Sequence, residues 1–162
     1  MNELETKSLE KWLQLVSDLS LSNVESGRGG PFAAVVIRNG ELIAEGTNRV
    51  LEDKDPTAHA EVVAIRNACK VLGNFQLDDC ILISSCEPCP MCLGAIFWAR
   101  PKVVYFCNDR IEAAEIGFDD NLIYTEINLK PEDRKIPFLC IPFEPAKIAF
   151  KKWKEMTTKT QY

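Results

Sequence analysis

The chain contains a single histidine, no apolar stretch of membrane-spanning length, no internal repeat, no low-complexity segment and no excess of positive charge. Each absence excludes a class of answer. A spanning helix needs about 20 consecutive apolar residues, so a membrane protein is not expected. Met1 to Lys11 is charged throughout, unlike a secretory leader, and the expected location is cytoplasmic. A net charge of −5 disfavours a phosphate backbone as the main partner and fits a small, weakly charged substrate better. Lys147, Lys151, Lys152, Lys154 and Lys159 do cluster near the C-terminus, where they read as the solvated face of a helix rather than as a nucleic-acid patch.

What is present is an ordinary globular composition, 46% apolar and 27% charged, over 162 residues. That length buries a real core without disulfides and is read as one domain, residues 1–162, with a C-terminal helix and tail over about 146–162. Seven cysteines in such a protein are expected to be buried, metal-bound or catalytic rather than cross-linked.

Leu9, Trp12, Leu13, Val16 and Leu19 recur at helical spacing and predict an amphipathic helix ending before Ser26. Phe32 to Ile37 and Leu42 to Thr47 are β-rich runs around Asn39-Gly40, a hairpin signal. A helix is expected to start near Asp55-Pro56-Thr57 and to carry the stripe Val62, Ile65, Cys69 and Leu72 up to Gly73. Cys80 to Ser85 reads as a buried strand, Pro88 to about Ala99 as a helix, and Lys102 to Cys107 as a further strand. Alternation of this kind needs crossover connections, so the last two strands should be parallel, in a three-layer α/β/α sandwich around a mixed sheet. Ile111 to Ile116 is expected to be a short helix. Gly117 to Pro145, with four prolines, reads as irregular structure around one or two short strands before a final helix on Ala146, Ala149, Phe150 and Trp153.

Two segments carry chemistry. The lone histidine stands in Pro56-Thr57-Ala58-His59-Ala60-Glu61, in the first turn of an expected helix, where His59 and Glu61 can both reach a cavity beyond the helix end. Taken alone, such a histidine is more often structural than a ligand. The second segment is Cys86-Glu87-Pro88-Cys89-Pro90-Met91-Cys92, in which Cys89 and Cys92 share a face if helical and can clamp one metal, at a helix start that favours thiolates. A lone CxxC is also compatible with a redox pair or a structural zinc. One imidazole and two thiolates together make a three-ligand zinc site with its fourth position open, the arrangement of a catalytic rather than a structural zinc. H-x-E followed by P-C-x-x-C is the pattern of zinc deaminases, in which the glutamate is the general acid/base and not a ligand. Cys86 is a spare thiol, and Cys69, Cys80, Cys107 and Cys140 lie on apolar runs and are expected in the core.

At these residues the chain resembles the cytidine and deoxycytidylate deaminase superfamily and, within it, the bacterial guanine deaminases. Gly29-Gly30-Pro31-Phe32, Glu45-Gly46-Thr47-Asn48, Ser85 to Ala95 and Ile116-Gly117-Phe118-Asp119-Asp120 are similar to that family, nearly end to end. The resemblance implies a cytidine deaminase-like fold, one zinc ion per subunit, and hydrolysis of guanine to xanthine and ammonia with Glu61 as proton shuttle. It further implies that Asn48 hydrogen-bonds the base edge, that Phe32 packs on the purine, and that Asp120 helps move the proton of the exocyclic amine. Without it, Asp119-Asp120 reads as a turn. It also implies a homodimer that exchanges its C-terminal segments, with Tyr162 closing the partner's site. A tRNA adenosine, guanosine or cytosine/cytidine deaminase, or a non-catalytic zinc-binding module, are the competing expectations.

Overall fold

The computed structural model describes residues 3–161, in two compact units, Met1–Asp120 and Asn121–Tyr162. In the first unit the order is α1 (Glu3–Glu25), β1 (Ala33–Arg38), β2 (Glu41–Thr47), α2 (Val50–Asp53), α3 (Ala60–Leu72), β3 (Cys80–Cys86), α4 (Pro90–Ala99), β4 (Val103–Asn108) and α5 (Arg110–Glu115). The strands form one mixed sheet in the order β2-β1-β3-β4. β1 pairs antiparallel with both β2 and β3, and β3 pairs parallel with β4. The hairpin is closed by Asn39 and Gly40, both with positive φ (51° and 79°), the backbone that a two-residue turn of type I′ demands.

Alternation along the strands builds two cores. Ala34, Val36 and Leu82 pack with Ala60, Ala64 and Ala68 of α3 and Ile96 of α4 on one face. Val35, Ile37 and Ile83 pack with Trp12 and Val16 of α1 on the other. The three-layer α/β/α arrangement expected from the sequence is present. On the α3 side the layers come very close at Gly46 of β2, where a Cβ would stand 2.4 Å from the Ala60 carbonyl oxygen and 2.5 Å from the Ala64 nitrogen.

Several boundaries differ from the sequence reading. α3 begins at Ala60, not near Pro56, because the Asp55 carboxylate accepts from both the Thr57 N–H (2.8 Å) and the Thr57 hydroxyl (2.7 Å), holding this stretch as a turn. α4 begins at Pro90, not Pro88: a residue preceding proline is disfavoured in the helical region, and Cys89, before Pro90, is extended (φ −62°, ψ 167°). The single turn α2 was not anticipated. Cys80 and Cys86 are buried, but Cys107 and Cys140 are exposed, contrary to the core role expected of them. Cys107 lies on β4, a sheet edge whose last residues are exposed.

The second unit comprises α6 (Asn121–Ile127), two short 3₁₀ turns at Pro131–Asp133 and Glu144–Ala146, and α7 (Lys147–Glu155). Among the described residues it holds no strand, so the strands expected between Gly117 and Pro145 are absent. Asn121–Ile127 is a helix despite its β-branched and aromatic residues, with Thr125 Oγ1 and Asn128 Nδ2 bonding back one turn to the carbonyls of Asn121 and Tyr124. Farther on, the Glu126 carboxylate accepts from the Lys135 N–H (2.7 Å), and the Arg134 guanidinium lies over the Phe138 ring.

Candidate active site

Two helix starts and one strand end converge on the site. His59 is the N-cap residue of α3 and Cys89 the N-cap residue of α4, and neither side chain makes a capping hydrogen bond. Both are extended, so each aims its side chain beyond its helix instead of along it. Cys92, in the first turn of α4, is fully buried. The Sγ atoms of Cys89 and Cys92 each lie 3.6 Å from His59 Nδ1, and the three donor atoms all fall within 4.8 Å of one another.

This donor set fits zinc. A tetrahedral ion with nitrogen at about 2.0–2.1 Å and sulfur at about 2.3 Å separates the two by about 3.6 Å. Among the described residues no fourth protein ligand joins them. Cys86 is spent elsewhere: its thiol donates to the Asp109 carbonyl at 3.7 Å, and burial pushes it up to about 11. The arrangement is therefore the open, three-ligand kind.

Glu61, two residues after His59, is only 6% exposed and stands beside the donor cluster without being part of it. Ser84 of β3 donates to its Oε1 at 3.3 Å, and the Cys92 thiol to its Oε2 at 3.4 Å. Burial raises its pKa from the ordinary carboxylate value, as suits a group that must both take and give a proton. Cys89 is pulled down to about 4, first by the hydrogen bond from the Cys92 thiol and then by His59, while Cys92 is driven up in turn. His59 is raised, chiefly by its bond with Cys89. Asp120, at the end of the first unit, is raised by burial and next by the Cys89 charge, which places its carboxyl within electrostatic reach of the cluster.

Asn48 is buried; its N–H donates to the Phe32 carbonyl at 3.0 Å, and its Oδ1 accepts from the Val50 N–H at 3.3 Å. The Phe32 ring meets Phe118 edge-on at 4.8 Å, so the segment before Asp120 backs the aromatic wall. Tyr162 lies outside the described residues. Sequence reasoning missed Ser84 and Phe118. A serine on an apolar strand carries no pattern of its own, and Phe118 stands in the segment 116–120 without a role; the fold brings Ser84 to Glu61 and Phe118 to Phe32.

Residues 6–108 match the model of the cytidine and deoxycytidylate deaminase zinc-binding region. The chain is 52% identical to guanine deaminase of Bacillus subtilis (strain 168) over 153 residues, 94% of this chain and 98% of that one. It is 43% identical to the tRNA-specific adenosine deaminase of Aquifex aeolicus (strain VF5), over only 47% of this chain and 50% of that one. The solved structure of the Bacillus subtilis guanine deaminase superposes with a TM-score of 0.92 at 51% identity, covering 100% of this chain and 99% of that one. Guanine deaminase from Nitrosomonas europaea superposes with a TM-score of 0.64 at 33% identity, covering 75% and 66%. With its three donors, its buried glutamate and these matches in agreement, the chain belongs to the cytidine and deoxycytidylate deaminase family of zinc-binding enzymes.

Proposed function

We propose that the chain is a guanine deaminase, converting guanine and water to xanthine and ammonia. The observation that carries this reading is Glu61, buried and hydrogen-bonded beside an open three-donor zinc site, in a chain alike from end to end to the Bacillus subtilis enzyme. When bound by His59, Cys89 and Cys92, zinc supplies Lewis acidity at one open position and makes water a nucleophile near neutral pH. The residues of the chain do the rest. Glu61 takes the proton of the attacking water and delivers it to a ring nitrogen as the C–O bond forms at C2. It then takes the remaining proton of the added hydroxyl and hands it to the exocyclic nitrogen, so that the C2 carbonyl forms as the C–N bond breaks and ammonia leaves. Asp120 accepts a hydrogen bond from the exocyclic amine and helps move the proton that nitrogen gains, Asn48 hydrogen-bonds the base edge, and Phe32 packs on the purine plane.

The assembly belongs to the same proposal. The chain is one deaminase domain, 1–162, whose C-terminal segment seats on a second copy, so that Tyr162 closes the partner's site. None of the helices of the second unit contains a buried residue, and Ile141 and Phe150 are 84% and 82% exposed. Apolar side chains left open in this number mark a surface made to be covered. No helix of the described residues is long and apolar enough to cross a membrane.

Ammonia release from guanine, guanosine, adenine, adenosine, cytosine and cytidine tests the substrate, with guanine expected to dominate. Turnover of adenosine in a tRNA stem-loop, with guanine untouched, would replace this reading by the tRNA-directed one. Sedimentation of the full chain and of a chain ending at residue 145 tests the assembly, with a dimer expected only for the former.

A further inference from the structure

One buried polar side chain has no part in the metal centre or the proton path. Asn23, near the C-terminal end of α1, is completely buried. Its carbonyl accepts from the Arg28 N–H at 3.2 Å and the Ser26 hydroxyl at 3.1 Å. Its side-chain Nδ2 reaches away from the helix and donates to two carbonyls of other segments, Gly30 at 2.9 Å and Asn48 at 3.0 Å. Its Oδ1 is buried with no hydrogen-bond partner. An unpaired buried acceptor is destabilising, so packing alone does not favour an amide here; the two donated bonds do.

Those bonds fall on the segments that hold Phe32 and Asn48. Asn48 is gripped at three points: its N–H by the Phe32 carbonyl, its Oδ1 by the Val50 N–H, and its own carbonyl by Asn23. Gly29 allows that approach. A Cβ there would stand 2.3 Å from the Asn48 carbonyl oxygen, 3.0 Å from Asn48 Oδ1 and 3.1 Å from Asn23 Nδ2. From α1, the Asn23 amide reaches this crossing.

We infer that Asn23 is a positioning residue for substrate recognition, fixing the main chain of Asn48 so that its amide meets the base at one distance and angle. This rests on the reading of Asn48 as the base-binding amide. Asn23 touches no reacting atom, so its loss should weaken binding and spare the chemical step.

The test is a double-mutant cycle on the zinc-loaded full chain: parent, Asn23→Ala, Asn48→Ala and the pair. Asn23→Ala is expected to raise KM for guanine at least tenfold, to change kcat less than threefold and to keep one zinc per chain. Added to Asn48→Ala, it should change kcat/KM less than twofold, because the group it positions is already gone. An unchanged KM, or losses in kcat/KM that multiply across the cycle, would overturn the inference and leave Asn23 a fold residue only. Should Asn23→Ala fail to fold, Asn23→Ser takes its place, judged by the same two outcomes. If the parent deaminates another base and not guanine, the guanine reading fails, and the cycle is run on the base that is turned over.

Discussion

Gly46 and Ala60 touch backbone to backbone: a Cβ on Gly46 would stand 2.4 Å from the Ala60 carbonyl oxygen, with no flexible side chain there to give way. Ala60 lies between His59 and Glu61, so the depth to which α3 sinks onto β2 sets where the ligand and the proton shuttle arrive.

Gly46→Ala is therefore expected to lift the start of α3 from the sheet. Overpacking of this kind costs about 1–3 kcal/mol. Thermal unfolding should show a lower midpoint, and metal analysis less than one zinc per chain. Full stability with full zinc content would contradict the account of the α3–β2 contact.

Glu61→Gln keeps the size and burial of the side chain and removes its basicity. Zinc content should be unchanged, while kcat falls by about 10²–10⁴, the usual contribution of a positioned acid/base. Turnover at the parental rate would refute the role given to Glu61.

Ser84→Ala removes the hydroxyl that holds Glu61 Oε1 at 3.3 Å. A hydrogen bond to a charged group contributes about 1.5–3 kcal/mol, so kcat should fall by about 10–100-fold if the whole amount is lost at the transition state. KM should hardly move, and Ser84→Thr, which retains the hydroxyl, should restore most of the rate.

Cys92→Ala deletes a fully buried ligand. Both zinc and activity should disappear together, whereas Cys86→Ala, outside the donor cluster, should keep one zinc per chain. Zinc binding should also weaken as pH falls, because acid protonates thiolates and imidazole in competition with the metal. Equal zinc loss in both cysteine variants would contradict the three-ligand assignment.

Legibility in the sequence followed periodicity and composition. The α1 stripe, the Asn39-Gly40 turn and the buried strand at Cys80 each carry a local signature, and all three are present. The donor set was legible for a similar reason, since His59, Cys89 and Cys92 are chemically distinctive residues. Helix starts were misplaced by two to four residues because side-chain bonds at Asp55 and the restriction imposed by Pro90 override periodicity. Asn121–Ile127 was not legible as a helix, because it lies in a proline-punctuated stretch and its β-branched residues point to strand. Asn23 and Ser84 could not be found at all: what marks them is a partner 25 or 23 residues away, which only the fold supplies.

The N-cap positions of α3 and α4 are places where a serine, threonine or aspartate would ordinarily tie down the free amides of the opening turn, for about 1 kcal/mol each. His59 and Cys89 supply no such bond. An ion held by both would act as a stitch as well as a reagent, tying together two helix ends that have no side-chain cap of their own. Zinc that binds the folded chain should therefore add to its stability as well as to its activity. Amide exchange in the opening turns of α3 and α4, slowing as zinc is added, would read out occupancy without any substrate.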